Sequence, residues 1–319
     1  MLKFIIKRLI NLIPTLLIVA VIVFVITRII PGDPASVMLG PQASASDIHR
    51  LKEQLGLNDS MIVQFIHYLN GLIHLDLGES FAYKQSVLTL IIERFPNTLI
   101  LTICAFAFAL LISIPAGVIA ATRKGSLLDY AFTVTSLFGI SIPVFWLGLM
   151  LVLLFSVTLG WLPATGMGEA GESMWSFIAH LILPSITLST IPMANFSRIT
   201  RASMLEVMNQ DYITAAKAKG VSRFFVTMKH GFKNALTPIL TVAGMEISSL
   251  LGGAVLTETI FSWPGMGQLV VEAINKRDYI VVQGSVIFLA VLYVLINLIV
   301  DVLYKVVNPK ISYDQKGGE

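Results

Sequence analysis

Six long apolar runs constrain this chain more than any other feature; they occupy residues 9–30, 98–121, 127–159, 175–196, 235–256 and 282–306. A helix rises about 1.5 Å per residue and the hydrocarbon core of a bilayer is about 30 Å thick, so about 20 apolar residues make one crossing. Every run reaches that length. Of 319 residues, 55% are hydrophobic and 13% charged, and mean hydropathy is +0.81, far from the balance of a water-soluble domain. The expected fold is an all-α integral membrane protein with about six transmembrane helices, one transmembrane domain over residues 1–319, surrounded by membrane lipid. A net charge of +3 without a Lys/Arg block gives no surface for nucleic acid. A lone cysteine, Cys104, rules out an intrachain disulfide and a Cys-based metal cluster, and no metal ligands are assigned.

Lys3, Lys7 and Arg8 precede the first run as they would in a signal peptide, but the run is longer than a signal core and no Ala-x-Ala site follows. It reads as a retained span. Residues 127–159 would reach about 50 Å as a single helix, long for one crossing and short for two with a turn. The basic residues decide, because cytoplasmic loops carry the excess of Lys and Arg. A single crossing keeps Arg123 and Lys124 inside and puts Glu169 and Glu172 outside. It also returns segment 198–234 inside, with Arg198, Arg201, Lys217, Lys219, Arg223, Lys229 and Lys233 against Glu206 and Asp211. Both termini are then cytoplasmic, Pro143 kinks the third span, and segment 31–96 is external. In that segment Ser44 with Asp47 has a capping-box pattern, Gly56 a helix stop, and Ile62, Phe65, Ile66 and Leu69 an amphipathic stripe. Interfacial helices follow, either shielding the span ends or docking an external partner.

Within the basic segment, Asp211-Tyr-Ile-Thr-Ala-Ala-Lys-Ala-Lys-Gly220-Val-Ser-Arg is the most informative stretch. Asp211 has the chemistry to cap a short helix, Ala215, Ala216 and Ala218 give it little side-chain bulk, Gly220 stops it, and Ser222 begins the next. Such a surface either lies as an ordinary interfacial helix or lets its backbone sink into a groove of another protein, with Lys217, Lys219 and Arg223 as rim charges.

Thr214-Ala-Ala-x-x-x-Gly220 resembles the "EAA" loop of ABC-importer permeases, and the longer Tyr212 to Ser222 segment resembles the form used by the dipeptide, oligopeptide and nickel branch. Thr214 replaces the Glu of the wider superfamily. Downstream, His230, Asn234, Ala235 and Pro238 stand as in that branch. Leu55-Gly-Leu57, Asp76-Leu-Gly-Glu-Ser80, Arg94-Phe-Pro-Asn-Thr-Leu99, Glu258-Thr-Ile-Phe-Ser-Trp-Pro-Gly-Met-Gly267 and Arg277-Asp-Tyr279 agree independently. So does the carboxyl-terminal stretch 297–310, with Asn308-Pro-Lys310 where Asp-Pro-Arg is commoner.

The resemblance covers nearly the whole chain and is to the first of two permeases of a dipeptide or oligopeptide importer. It implies a subunit of an inner-membrane assembly in a prokaryote, with a second homologous permease, two ATPase subunits and an external solute-binding protein. ATP and Mg are then bound by the ATPases; the chain has no Gly-x-x-x-x-Gly-Lys-Ser/Thr loop, so no cofactor and no enzymatic activity are expected in it. Tyr212, Thr214, Ala215, Ala216, Lys219 and Gly220 become the ATPase-coupling residues. Peptides are the expected cargo, with nickel or a metal chelate, glutathione or a similar small solute as alternatives.

Two readings outside this class have less support. A secondary transporter usually carries intramembrane ionisable groups, but here only Glu246 lies well inside a span. A hydrolase would need more than Gly139-Ile-Ser141-Ile-Pro, which lacks the second glycine of a nucleophile elbow. Glu246 either bonds to hydroxyls of a neighbouring helix or lines the translocation path with Met245 and Ser249. Trp263, Pro264, Gly265 and Gly267 form either an outer gate or a simple cap, with Trp263 suited to the membrane interface.

Overall fold

The computed structural model describes residues 2–29, 34–40, 42–54, 56–168 and 173–307. Glu169, Glu172, Leu55 and Asn308 to Lys310 lie outside them. Among the described residues there are helices and no strand beyond one isolated bridge, Glu79 with Ser86. Helices α1 (Leu2–Ile29), α2 (Pro34–Leu39), α3 (Ala45–Gln54) and α4 (Met61–Ile73) are followed by α5 (Val87–Thr122), α6 (Leu127–Ser141) and α7 (Val144–Leu151), which continues as a π-helix over Val152–Thr158. Then come α8 (Met174–Met208), α9 (Asp211–Ala218), α10 (Arg223–Phe225) with a π-helix over Val226–Phe232, α11 (Lys233–Ile260), α12 (Met266–Asn275) and α13 (Tyr279–Val307). Five of these helices are long and apolar enough to cross a membrane, and the α6–α7 pair makes six if it counts as one span.

The described residues fall into two compact units, Met1–Thr98 with Pro264–Leu295 and Leu99–Trp263 with Ile296–Glu319. In the first unit, α4 packs on α1 through Phe65, edge-on to Phe24 at 5.1 Å, and through Tyr68, stacked on Phe24 at 5.8 Å. The amphipathic stripe is thus divided: Phe65 and Leu69 turn inward, while Ile62 and Ile66 are exposed. Ser44 accepts from the Asp47 amide at 3.2 Å, the first bond of the expected capping box, while the Asp47 carboxylate accepts from the Ser44 hydroxyl rather than from its backbone amide. Gly56, at φ +64°, ends α3.

The motifs that carry the resemblance meet one another here. Buried Asp278 accepts from the Ser80 hydroxyl at 2.6 Å and the Ala82 amide at 3.1 Å, so Asp76–Ser80 and Arg277–Tyr279 form one clasp. Asn97 donates to the Pro264 carbonyl at 2.8 Å, and the Met266 amide donates to Thr98 at 2.8 Å. These contacts satisfy backbone groups at the ends of apolar helices, where water is scarce.

The second unit is a layered helix bundle. Ala121, Met204 and Ala235 form one layer, Ala109, Phe196 and Ile239 the next, and Leu101, Leu188, Leu250 and Ala254 a third with Trp263. The order of these residues shows α5 and α8 running in the same direction and α11 opposite. Small residues bring the helices close, as is usual where lipid supplies no hydrophobic drive. At Gly117 an added Cβ would meet Thr200 Cβ at 2.6 Å.

Where a kinked third span was expected, the chain breaks: α6 and α7 are bent by 106°. Ile142, the residue before Pro143, is extended at φ −81°, ψ 127°, because a following proline disfavours the helical region. The pair still advances steadily through the unit. Asp129 at its start is paired with Arg201 near the end of α8; Gly139 faces Thr190 and Ala194; Gly148 faces Thr187, Ile260 and Phe261. The Gly166 amide then donates to the Phe261 carbonyl at 2.8 Å. The net effect is one passage from the α9 end of the bundle to the far end of α11. A second difference concerns segment 198–234. Arg198 and Arg201 belong to α8, which runs on to Met208, so little of the segment is loop.

Candidate functional site

Between α8 and α11 the chain turns on α9, a two-turn helix with one buried side chain, Ile213. This anchor leaves Tyr212, Thr214, Ala215, Lys217, Ala218, Lys219 and Gly220 exposed and Ala216 half-buried. Asp211 does not cap the helix as expected. Gln210 occupies the N-cap position without a side-chain bond, and Asp211 is the first helical residue, where its charge favours the positive end of the helix dipole. Ser222 holds the next N-cap position, also without a side-chain bond.

Gly220 ends α9 as expected, with φ +76°. Its amide donates to the Lys217 carbonyl at 3.0 Å and the Val221 amide to the Ala216 carbonyl at 3.3 Å, the two bonds of a Schellman stop. An added Cβ would meet nothing within 4 Å, so the requirement for glycine is conformational. Tyr212 accepts from the Asn234 amide at 3.2 Å, tying α9 to the start of α11.

Residues missed from sequence enlarge this surface. Phe224, Phe225 and Met228 are 70%, 58% and 40% exposed, an apolar group just beyond the glycine turn. Two adjacent aromatics in a basic segment were the available signal, since exposed rings mark interfaces with lipid or protein.

Higher in the bundle, Glu246 is 9% exposed, and its carboxylate accepts from the Asn195 side-chain amide on α8 at 2.7 Å. The expected hydroxyl partner is instead an amide. A cavity of about 360 Å³ opens beside the pair, lined by Asn195, Arg198, Met245 and Glu246 among others. Met245 therefore shares the cavity with Glu246, whereas Ser249 is exposed on α11 and is not part of the lining. Asn195 and Arg198 were not anticipated; an amide inside an apolar run was the legible clue.

The suggested gate segment is divided. Trp263 is fully buried in the second unit beside Phe177, which corrects its expected place at the membrane interface. Pro264, Gly265 and Gly267 belong to the first unit, with Gly265 at the N-cap of α12 and Gly267 buried in that helix. Ser141 is exposed and donates to the Leu137 carbonyl at 2.9 Å, a bond within its own helix.

Comparison with known proteins supplies the context for this geometry. Residues 113–313 match the binding-protein-dependent transport system inner membrane component, and residues 1–102 match the N-terminal part of such membrane components. The di/tripeptide transport system permease protein DppB of Pseudomonas aeruginosa is 43% identical, covering 99% of this chain and all of the relative. The oligopeptide transport system permease protein AppB of Bacillus subtilis is 44% identical, covering 98% of this chain and all of the relative. The glutathione transport system permease protein GsiC of Escherichia coli is 42% identical with the same coverage. A chain of the inward-facing MetNI methionine ABC transporter matches 69% of this chain and 97% of its own at TM-score 0.54 and 19% identity, a likeness of fold. The chain is a multi-pass membrane transport subunit and belongs to the family of binding-protein-dependent transport system inner membrane components.

Proposed function

We propose that this chain is the first of two permeases in an ATP-driven importer of di- and oligopeptides, with α9 as its contact to the ATPases. The observation that carries the reading is α9 itself: one buried anchor, Ile213, holds an exposed face of Thr214, Ala215 and Ala218 that a glycine stop terminates. Low side-chain bulk lets a helix backbone seat closely in a groove. A second homologous permease completes the path, two ATPase subunits bind ATP and Mg, and an external binding protein delivers the cargo. The relatives over the full length support the peptide class.

Closure of the ATPases on nucleotide draws the two α9 surfaces together, and rigid α8 and α11 convert that motion into alternating access. The Asn195–Glu246 cavity, with Met245, lines the passage; Ser249 lies on the same helix. Trp263, buried in the second unit, caps the end of that bundle away from α9.

Glutathione is a second reading, because its permease is as similar to this chain as the peptide permeases are. Proteoliposomes containing the whole assembly and its binding protein distinguish the two. ATP-dependent uptake of labelled dipeptide that survives collapse of the ion gradient is the expected result. Uptake of glutathione or a nickel chelate alone would replace the peptide assignment, and uptake driven by the ion gradient without ATP would overturn the importer class.

A further inference from the structure

The first unit contains a cavity of its own, of about 290 Å³. Its lining includes Arg28, Gln64, His67, Tyr68, Asp76 and Gln283. Arg28 is in the last turn of the apolar α1 helix, at the level where hydrocarbon gives way to headgroups. Its guanidinium lies 4.1 Å above the Phe24 ring, and its Nε and Nη2 each approach the Gln64 carbonyl oxygen at 3.3 Å. Gln64 is itself held by bonds to the Leu57 and Asp59 carbonyls. Among the described residues Arg28 has no carboxylate within ion-pair distance; its remaining bond is from Nη1 to the Thr27 hydroxyl at 3.4 Å, and Asp76 lines the same cavity.

Two further polar groups lie in the lining, next to one another. The Tyr68 hydroxyl and Gln283 amide nitrogen are buried and make no hydrogen bond of normal geometry. A buried polar atom in that condition is costly, and both atoms are suited to donate to anionic oxygens. Beside the cavity, Val25 and Ile29 on α1 and Ile62 and Ile66 on α4 expose apolar side chains. We propose that this cavity holds the phosphate-bearing headgroup of a membrane glycerophospholipid. The phosphate sits on Arg28 with Tyr68 and Gln283 as donors, while the acyl chains follow the apolar flanks of α1 and α4. Asp76 supplies the opposite charge and favours an ethanolamine ammonium over an uncharged glycerol.

Native mass spectrometry of the full chain, purified within its assembly and exchanged into detergent, tests this. One phospholipid per chain should be retained, with phosphatidylethanolamine preferred over phosphatidylglycerol and diacylglycerol not retained. Arg28→Gln should lower retention by about tenfold or more, the scale of losing charge-assisted bonds, and Asp76→Asn should bring the two phospholipids toward parity. Equal retention of diacylglycerol, or undiminished retention by Arg28→Gln, would overturn the proposal. Displacement of the lipid by soluble phosphoethanolamine at equal concentration would make this a site for free phosphate instead, and displacement by a neutral dipeptide would make it a cargo site. The competition arms use the unaltered protein, so they decide even where a variant does not fold. An unchanged headgroup preference in Asp76→Asn would remove Asp76 from the site.

Discussion

Single charged residues inside apolar helices were visible in the sequence, but their partners were not. Glu246 stands out because an acid at a helix centre costs about 2.5 to 3.5 kcal/mol on insertion scales. Asn195, 51 residues away in sequence, could not be assigned to it without the fold. Glu246→Gln keeps an acceptor for Asn195 while removing the charge. If Glu246 meets cargo in the cavity, uptake of peptides with an extra positive charge should fall by up to about tenfold, equal to ~1.4 kcal/mol, with neutral peptides little changed. Equal loss for both classes would leave Glu246 a structural partner of Asn195. Asp129 gives a separate prediction. It is 4% exposed and receives two bonds from Arg201, at 2.6 and 2.9 Å. Arg201 keeps 31% of its side chain exposed and can be hydrated without its partner, so removing the Asp129 charge costs less than the about 3–5 kcal/mol of a fully buried pair. Asp129→Asn should therefore unfold at lower temperature in detergent, because a neutral amide cannot accept both bonds as the carboxylate does. An unchanged unfolding temperature would show that the pair contributes nothing net. Trp263 shows the limit of statistical expectation: aromatic belts describe lipid-facing rings, and packing against Phe177 decided otherwise.

At the level of elements, hydropathy located each span but not where its helix ends: α5 begins at Val87 rather than near residue 98, and α8 ends at Met208 rather than near residue 196. Helix α8 continues through Arg198 and Arg201 to Met208, and polar residues near a helix end read as loop until their partners are known. Pro143 was legible as a disturbance; that Ile142 would leave the helix altogether was implicit in the pre-proline restriction. The α9 unit was the most legible element, since the glycine stop and the alanines are local features. What the fold adds is direction: Ala215 is exposed and Ala216 only half so. Ala215→Arg should leave the chain in the membrane, lose the co-purifying ATPase and reduce uptake to background. Gly220 acts differently, because open space surrounds it while its backbone is left-handed. An ordinary residue in that conformation costs about 1–2 kcal/mol. Asparagine tolerates it better than β-branched valine, so Gly220→Asn should retain more uptake than Gly220→Val. Equal uptake in the two would mean that the left-handed stop does not matter.

For the molecule as a whole, the orientation of the bundle decides whether α9 can reach an ATPase at all. The sharp break at Pro143 leaves two histories for the third span: one bent crossing, or an entry and return on the same side. Contacts within the second unit favour a crossing, since Asp129 begins beside Arg201 and the stretch after α7 ends with Gly166 bonded to Phe261. Those partners lie at opposite ends of α8 and α11. Basic residues at Arg123, Lys124, Lys217, Lys219 and Arg223 then give the prediction, from the distribution of charge, that the α9 end faces the cytoplasm. Single cysteines at Lys124, Thr165 and Asn209, all exposed positions, make this measurable once Cys104, half-buried within the third layer, is replaced by alanine. An impermeant thiol reagent applied to intact cells, or to spheroplasts if an outer membrane is present, should label Thr165→Cys alone, and permeabilisation should expose the other two. Labelling of Lys124→Cys together with Thr165→Cys would make α6 and α7 a re-entrant hairpin. Labelling of Asn209→Cys from outside would put α9 on the wrong side of the membrane for ATP and remove the coupling role from it.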